Sequence, residues 1–160
     1  MAFDFQKAYQ DFVFNFDQYK SAEAEYDLSR SQYISSQTLA AKEKAQVSTY
    51  KFLQARDEVV RTYLTALRLR LSELTGVAND RKEALYGKID REVSWFDDHK
   101  NSIPSAASLE DLQSESLEAK NQYEKVTDIV IYEVLTEIAI GKQVALRTTQ
   151  ANIINDLKNK

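Results

Sequence analysis

Five aromatic residues fall at every seventh position between Phe5 and Tyr33 (Phe5, Phe12, Tyr19, Tyr26, Tyr33), and Tyr9 and Phe16 fill intermediate places. Seven residues make two helical turns, so this repeat holds one stripe of a long helix against a neighbour. The chain therefore reads as elongated helices packed side by side. Composition points the same way: three Gly and one Pro in 160 residues leave few places for tight turns or hairpins. With 43% hydrophobic and 29% charged residues there is enough apolar material for a sizeable core.

The pattern predicts four helices, over about residues 3–34, 38–75, 80–100 and 108–158, in one domain covering 1–160. Ser35, Ser36, Gln37 and Thr38 are either a break, with Thr38 capping the next helix, or a polar patch on one continuous helix. The second helix carries Tyr50, Leu53, Val60, Leu64, Leu67, Leu71 and Leu74, with Asp57 at one stripe position, and is expected to stop at Thr75-Gly76. Asn79 or Asp80 caps the third, whose apolar positions are Leu85, Ile89, Val93 and Phe96. Pro104 marks a corner. Ser108, followed by Glu110 and Asp111, starts the last helix, whose apolar positions are Leu112, Ala119, Tyr123, Val126, Val130, Val134, Ile138 and later Ile154 and Leu157. Gly141 is a candidate interruption. A helix over 38–75 is roughly 57 Å long at 1.5 Å per residue. Short connections then give an all-α fold, an elongated antiparallel bundle of three or four long helices with coiled-coil-like packing.

Several function classes lose their support at this level. A net charge of −4 offers no basic field for a phosphate backbone, so nucleic acid is not expected as a partner. The longest strongly apolar stretch, Ile129 to Ile140, is short of the roughly 20 residues a span needs and contains Glu133 and Glu137, so no transmembrane segment is expected. Met1-Ala2-Phe3-Asp4 lacks a basic region followed by an apolar one, which fits a cytoplasmic protein or a mature domain whose leader was removed. There is no Cys and one His, so a tetrahedral zinc site has no ligand set, and no cofactor, catalytic or metal residue is assigned. His99, after Asp97 and Asp98, reads as a solvated side chain near a helix C-terminus. Arg56, Arg61, Arg68 and Arg70, interleaved with Asp57, Glu58 and Glu73, read as ion pairs on a helix surface, with a buried Arg61 or Arg68 facing an acid as the alternative. Asp57 is the best candidate for a buried polar partner.

The aromatic stripe reads as core for Phe5, Phe12, Tyr19 and Tyr26. Phe3 and Phe14 lie off that stripe, and Ile129 to Ile140 is apolar on nearly every face, so it is either buried in the bundle or an association surface. The candidate interaction surface is Phe3, Phe14, Ile129, Ile131 and Ile140.

The stretch from Leu53 to Gly76, with Lys88-Ile-Asp-Arg-Glu-Val-Ser-Trp-Phe and Ser102-Ile-Pro-Ser-Ala-Ala-Ser-Leu-Glu-Asp-Leu112, resembles helical proteins of small-genome candidate-phylum bacteria that carry signal peptides. That group has no functional motif to carry over. The resemblance implies an exported protein of the cell envelope or extracellular space. Two functions are weighed: a non-enzymatic helical scaffold or interaction module, meeting a protein partner or a second copy, and a binder of an apolar small molecule or lipid in an aromatic-lined interior.

Overall fold

The computed structural model describes residues 4–159, and every regular element in them is helical. α1 spans Phe5–Ser36, α2 Leu39–Ser72 and α3 Asn79–Ser102. A 3-10 turn, Ile103–Ser105, leads to α4, Leu109–Gln122, which passes through a π-helical turn, Tyr123–Thr127, into α5, Asp128–Lys158. With α4 and α5 taken as one helical run, four long helices pack as an all-α bundle. No helix among the described residues is long and apolar enough to cross a membrane.

Local chemistry sets the helix ends. Asp4 accepts the amide of Lys7 at 3.0 Å, Thr38 that of Ala41 at 3.2 Å and Ser108 that of Asp111 at 3.0 Å. Each satisfies an N–H that the first helical turn leaves unpaired. Between α1 and α2 the chain does break. Gln37 adopts left-handed backbone, φ 49°, and its N–H donates to the Tyr33 carbonyl at 2.9 Å, closing the helix. Two other ends differ from expectation. α2 stops at Ser72, and no glycine has a positive φ, so Gly76 is not a left-handed cap. α3 begins at Asn79 after Ala78, and no side chain caps it.

Gly76 and Gly141 serve a contact instead. A methyl group on Gly76 would overlap the Gly141 carbonyl oxygen and stand 2.9 Å from its carbon, and one on Gly141 would overlap the Val77 side chain. The turn after α2 thus rests on the backbone of α5, and α5 runs through Gly141 uninterrupted. The irregularity lies earlier, at the π turn, where the Asp128 N–H reaches back to the Tyr123 carbonyl. One extra residue in that turn rotates the remainder of the helix. Tyr123 and Val126, expected on the inner stripe, are exposed in this turn, and Thr127 takes the buried position.

α1 and α2 run antiparallel, with Phe12 against Tyr63 and Tyr26 stacked on Phe52. α3 is antiparallel to α2 through Arg68–Asp90 and Lys100–Glu58, and the α4–α5 run returns along α3 through Lys88–Glu133 and Arg81–Glu137. Leu64, Leu67 and Leu71 of α2, Leu85, Ile89 and Phe96 of α3, and Val130, Ile131, Val134 and Ile138 of α5 form the main core. A smaller cluster of Leu53, Ile103 and Leu112 sits under the Pro104 corner.

The aromatic repeat of α1 is not core. Phe5, Phe12, Tyr19 and Tyr26 are half-buried, and the fully covered side chains of α1 are Ala8 and Ser29. Those two belong to a second seven-residue series, Ala8, Asn15, Ala22 and Ser29. Small residues let α1 lie close on α2, while the rings lap over the edge onto Phe52 and Tyr63. α1 has α2 as its principal neighbour, so each ring is covered on one side only.

Candidate functional site

Asp57 is fully buried on α2. A bare carboxylate there would be costly. It accepts from Arg56 through Nε and Nη2, each at 3.3 Å, and its second oxygen lies 2.5 Å from His99 Nδ1. Arg56 also donates to Ser116 Oγ of α4 at 3.2 Å. The other His99 nitrogen, Nε2, is 3.1 Å from the Glu115 carbonyl and 3.2 Å from Glu115 Oε2. Acceptors therefore face both ring nitrogens, which suits an imidazolium with an N–H at each. Burial alone pushes the His99 pKa down; the hydrogen bond and charge of Asp57, with the charge of Glu115, outweigh burial and Arg56 and raise it above its ordinary 6.5. Trp95 stacks on the ring at 4.9 Å and 11°.

These contacts bolt α2, α3 and α4 together. They confirm Asp57 as the buried polar partner and correct the reading of His99, which is buried and not solvated. Its partners stand 42 and 16 residues away, beyond the reach of any local pattern. Arg61 and Arg68 of α2 form surface ion pairs, as the sequence suggested, and neither is buried. Arg61 pairs with Glu58 on its own helix and lies 3.7 Å from Asp97 of α3, and Arg68 meets Asp90 in a solvent-exposed pair. Glu58 also takes Lys100 at 2.9 Å. Burial alone would raise the Glu58 pKa, but the hydrogen bonds from Arg61 and Lys100 outweigh it and hold the carboxylate below its ordinary value.

A second buried acid sits at the π turn. Glu92 accepts from Gln122 Nε2 at 3.0 and 3.2 Å and from Thr127 Oγ1 at 2.7 Å, all neutral donors. The π turn turns Thr127 toward α3, so the helix irregularity and the buried carboxylate belong together. The chain matches no protein-family model, no curated protein and no solved structure.

The sequence-derived surface residues divide. Phe3 lies outside the described residues. Phe14 is 63% exposed, Ile129 58% and Ile140 48%, whereas Ile131 is turned into the core at 6%. Helical rotation separates them: Ile131 shares its face with Val134 and Ile138, while Ile129 and Ile140 look away from it. Ile154 and Leu157, expected on the inner stripe, are exposed, because no helix among the described residues lies opposite the end of α5, and an outer strip runs along that helix. Tyr132, Leu135, Ala139, Leu146, Ile153 and Leu157 follow in steps of three, four and seven, and all are exposed. From Lys142 to Asn159 only Ala145 has partial cover, so the end of α5 stands clear of the other helices.

One concave region lies between α1, α2 and α4. It is a cleft of about 420 Å³ lined by Tyr26, Tyr33, Phe52, Leu53, Leu112 and polar neighbours including Arg30, Gln113 and Ser116.

Proposed function

We propose that this protein is a non-enzymatic helical scaffold or protein-interaction module of the cell envelope or extracellular space, and that it meets its partner with the outer face of α5. The observation that carries the reading is the exposed strip from Tyr132 to Leu157, which repeats at helical spacing and continues past Gly141, the last buried residue of the helix. An apolar strip of that kind is what a second helix packs against. Phe14 and its exposed neighbours Tyr9 and Val13 give α1 an apolar surface of its own. The assignment outside the cytoplasm rests on the resemblance to exported helical proteins alone.

Sedimentation over a wide concentration range, with chemical crosslinking in native cells, tests the reading. Association, or a crosslinked partner, is expected to weaken in Ile153→Glu while helicity stays constant. A chain that is monomeric throughout, with a crosslinking pattern that Ile153→Glu leaves unaltered, would remove it.

The cleft at Tyr26, Tyr33 and Phe52 supports a second reading, capture of an apolar small molecule, since its volume is in the range of ligand sites. An apolar fluorophore would then bind one to one and be excluded by Thr49→Trp, which fills the cleft. Binding that ignores the substitution would count against it.

A further inference from the structure

The residues beside His99 in sequence, Asp97 and Asp98, offer no metal site, but the fold assembles a different set around its ring. His99 lies in the last turn of α3, and Glu115 and Glu118 stand one turn apart on α4, which follows the Pro104 corner. Ligand atoms of these three residues all lie within 4.8 Å of one another. From this geometry we propose a binding site for a divalent transition-metal ion of the zinc type, held by His99 Nε2 and the carboxylates of Glu115 and Glu118, with water completing the shell.

Four features support it. First, the donor set is one imidazole and two carboxylates, which zinc and its neighbours accept, leaving a position for water. Second, the imidazole is already fixed: Asp57, fully buried, takes the Nδ1–H at 2.5 Å. That carboxylate–histidine pairing keeps the proton on Nδ1, so Nε2 is the nitrogen that gives up its proton and turns its lone pair toward α4 when an ion binds, and it is the better donor for that pairing. Third, Trp95 stacks on the ring and limits its rotation. Fourth, Glu118 is exposed and, with Trp95 and Ser114, lines an open cleft of about 450 Å³, so one of the proposed ligands faces solvent.

In the metal-free protein Nε2 faces the Glu115 carbonyl at 3.1 Å, and Glu115 Oε2 takes a hydrogen bond from Ser102 at 3.2 Å. Binding exchanges the Nε2 proton, which leaves to solvent, for the ion, and turns the two glutamates onto it. The ion would staple the end of α3 to α4 across the corner. It would do so where the chain changes direction, beside the smaller core cluster of Leu53, Ile103 and Leu112.

The probe is zinc chloride added to chelator-treated full-length protein, read by tryptophan emission and by thermal melting. Trp95 is the single tryptophan and touches the proposed ligand, so its emission reports the site directly. A saturable change at one equivalent and a rise in Tm are expected. Glu118→Gln is the clean variant, because Glu118 is exposed and its loss should leave the metal-free Tm unchanged. It should weaken zinc binding by about tenfold or more, since loss of even an outer partner of a metal ligand costs that much. Glu110→Gln, exposed on the same helix, should bind as the parent does. If zinc at millimolar concentration moves neither Trp95 emission nor Tm, or if Glu118→Gln and the parent respond alike, the site does not exist.

Discussion

The α1–α2 hairpin and the corner where α2, α3 and α4 meet are held by opposite means. In the hairpin, rings and small residues alternate along a seven-residue repeat, and half-covered Phe12, Tyr19 and Tyr26 lap onto Tyr63 and Phe52. At the corner, Asp57, His99 and Arg56 form a charged network in which Asp57 has no exposure at all. Apolar seams tolerate imperfection, because each ring keeps part of its cover when a neighbour shifts. Buried charge does not, because removing one partner leaves the other uncompensated in a low-dielectric surrounding. The hairpin should therefore fail gradually and the corner abruptly.

The sharpest way to break that contrast is Asp57→Ala. Urea denaturation is expected to show a loss of about 3 to 5 kcal/mol, the range for removing one member of a buried pair. Replacing Asp57 and His99 together by Leu should recover most of it, since a matched apolar pair carries no desolvation cost. A silent Asp57→Ala would mean that the network contributes nothing. Next in size is a paired comparison of two apolar truncations. Leu64→Ala, in the main core, should cost about 2 to 5 kcal/mol, whereas Phe12→Ala, in the half-exposed seam, should cost about 1 to 2 kcal/mol on the area it buries. Equal losses would place the seam inside the core and erase the distinction.

Ser29 sharpens the comparison from the hairpin side. Its hydroxyl is buried between α1 and α2 and has no hydrogen-bond partner among the described residues. Ser29→Ala removes that unsatisfied group without changing the small-residue spacing, so it should stabilise the protein by about 1 kcal/mol. A loss on calorimetry would show that the hydroxyl is satisfied after all.

The smallest effect concerns pH. Because the folded pKa of Glu58 lies below its ordinary 4.5, the stability it supplies is present above that value and disappears as pH falls through the lower folded pKa. Denaturation midpoints taken from pH 6 down to 3 should fall less in Glu58→Gln than in the parent, by roughly half a kcal/mol for a pair of this kind. Identical slopes would assign the acid sensitivity to other carboxylates.

Much of the candidate site was illegible for a definable reason. Asp57 could be singled out because a charged residue stood where the repeat required an apolar one. His99 carried no such mark: its own neighbours, Asp97 and Asp98, are surface-type residues, and its partners arrive from α2 and α4. Glu92 was hidden in the same way, paired through Gln122 and Thr127 across a π turn that no spacing announced. Ile129, Ile131 and Ile140 looked alike in an evenly apolar segment, and only packing could sort one from the others.

Local information was enough for the helical fold, the caps at Thr38 and Ser108 and the corner at Pro104, because those depend on periodicities and side-chain reach within a few residues. Tertiary structure alone decided that the aromatic stripe is a seam instead of core, that Gly76 and Gly141 are a contact instead of a cap and an interruption, and that the single histidine is buried. Each of those outcomes turns on which helix lies opposite and how closely. Distant partners set both, and a repeat within one helix cannot encode them.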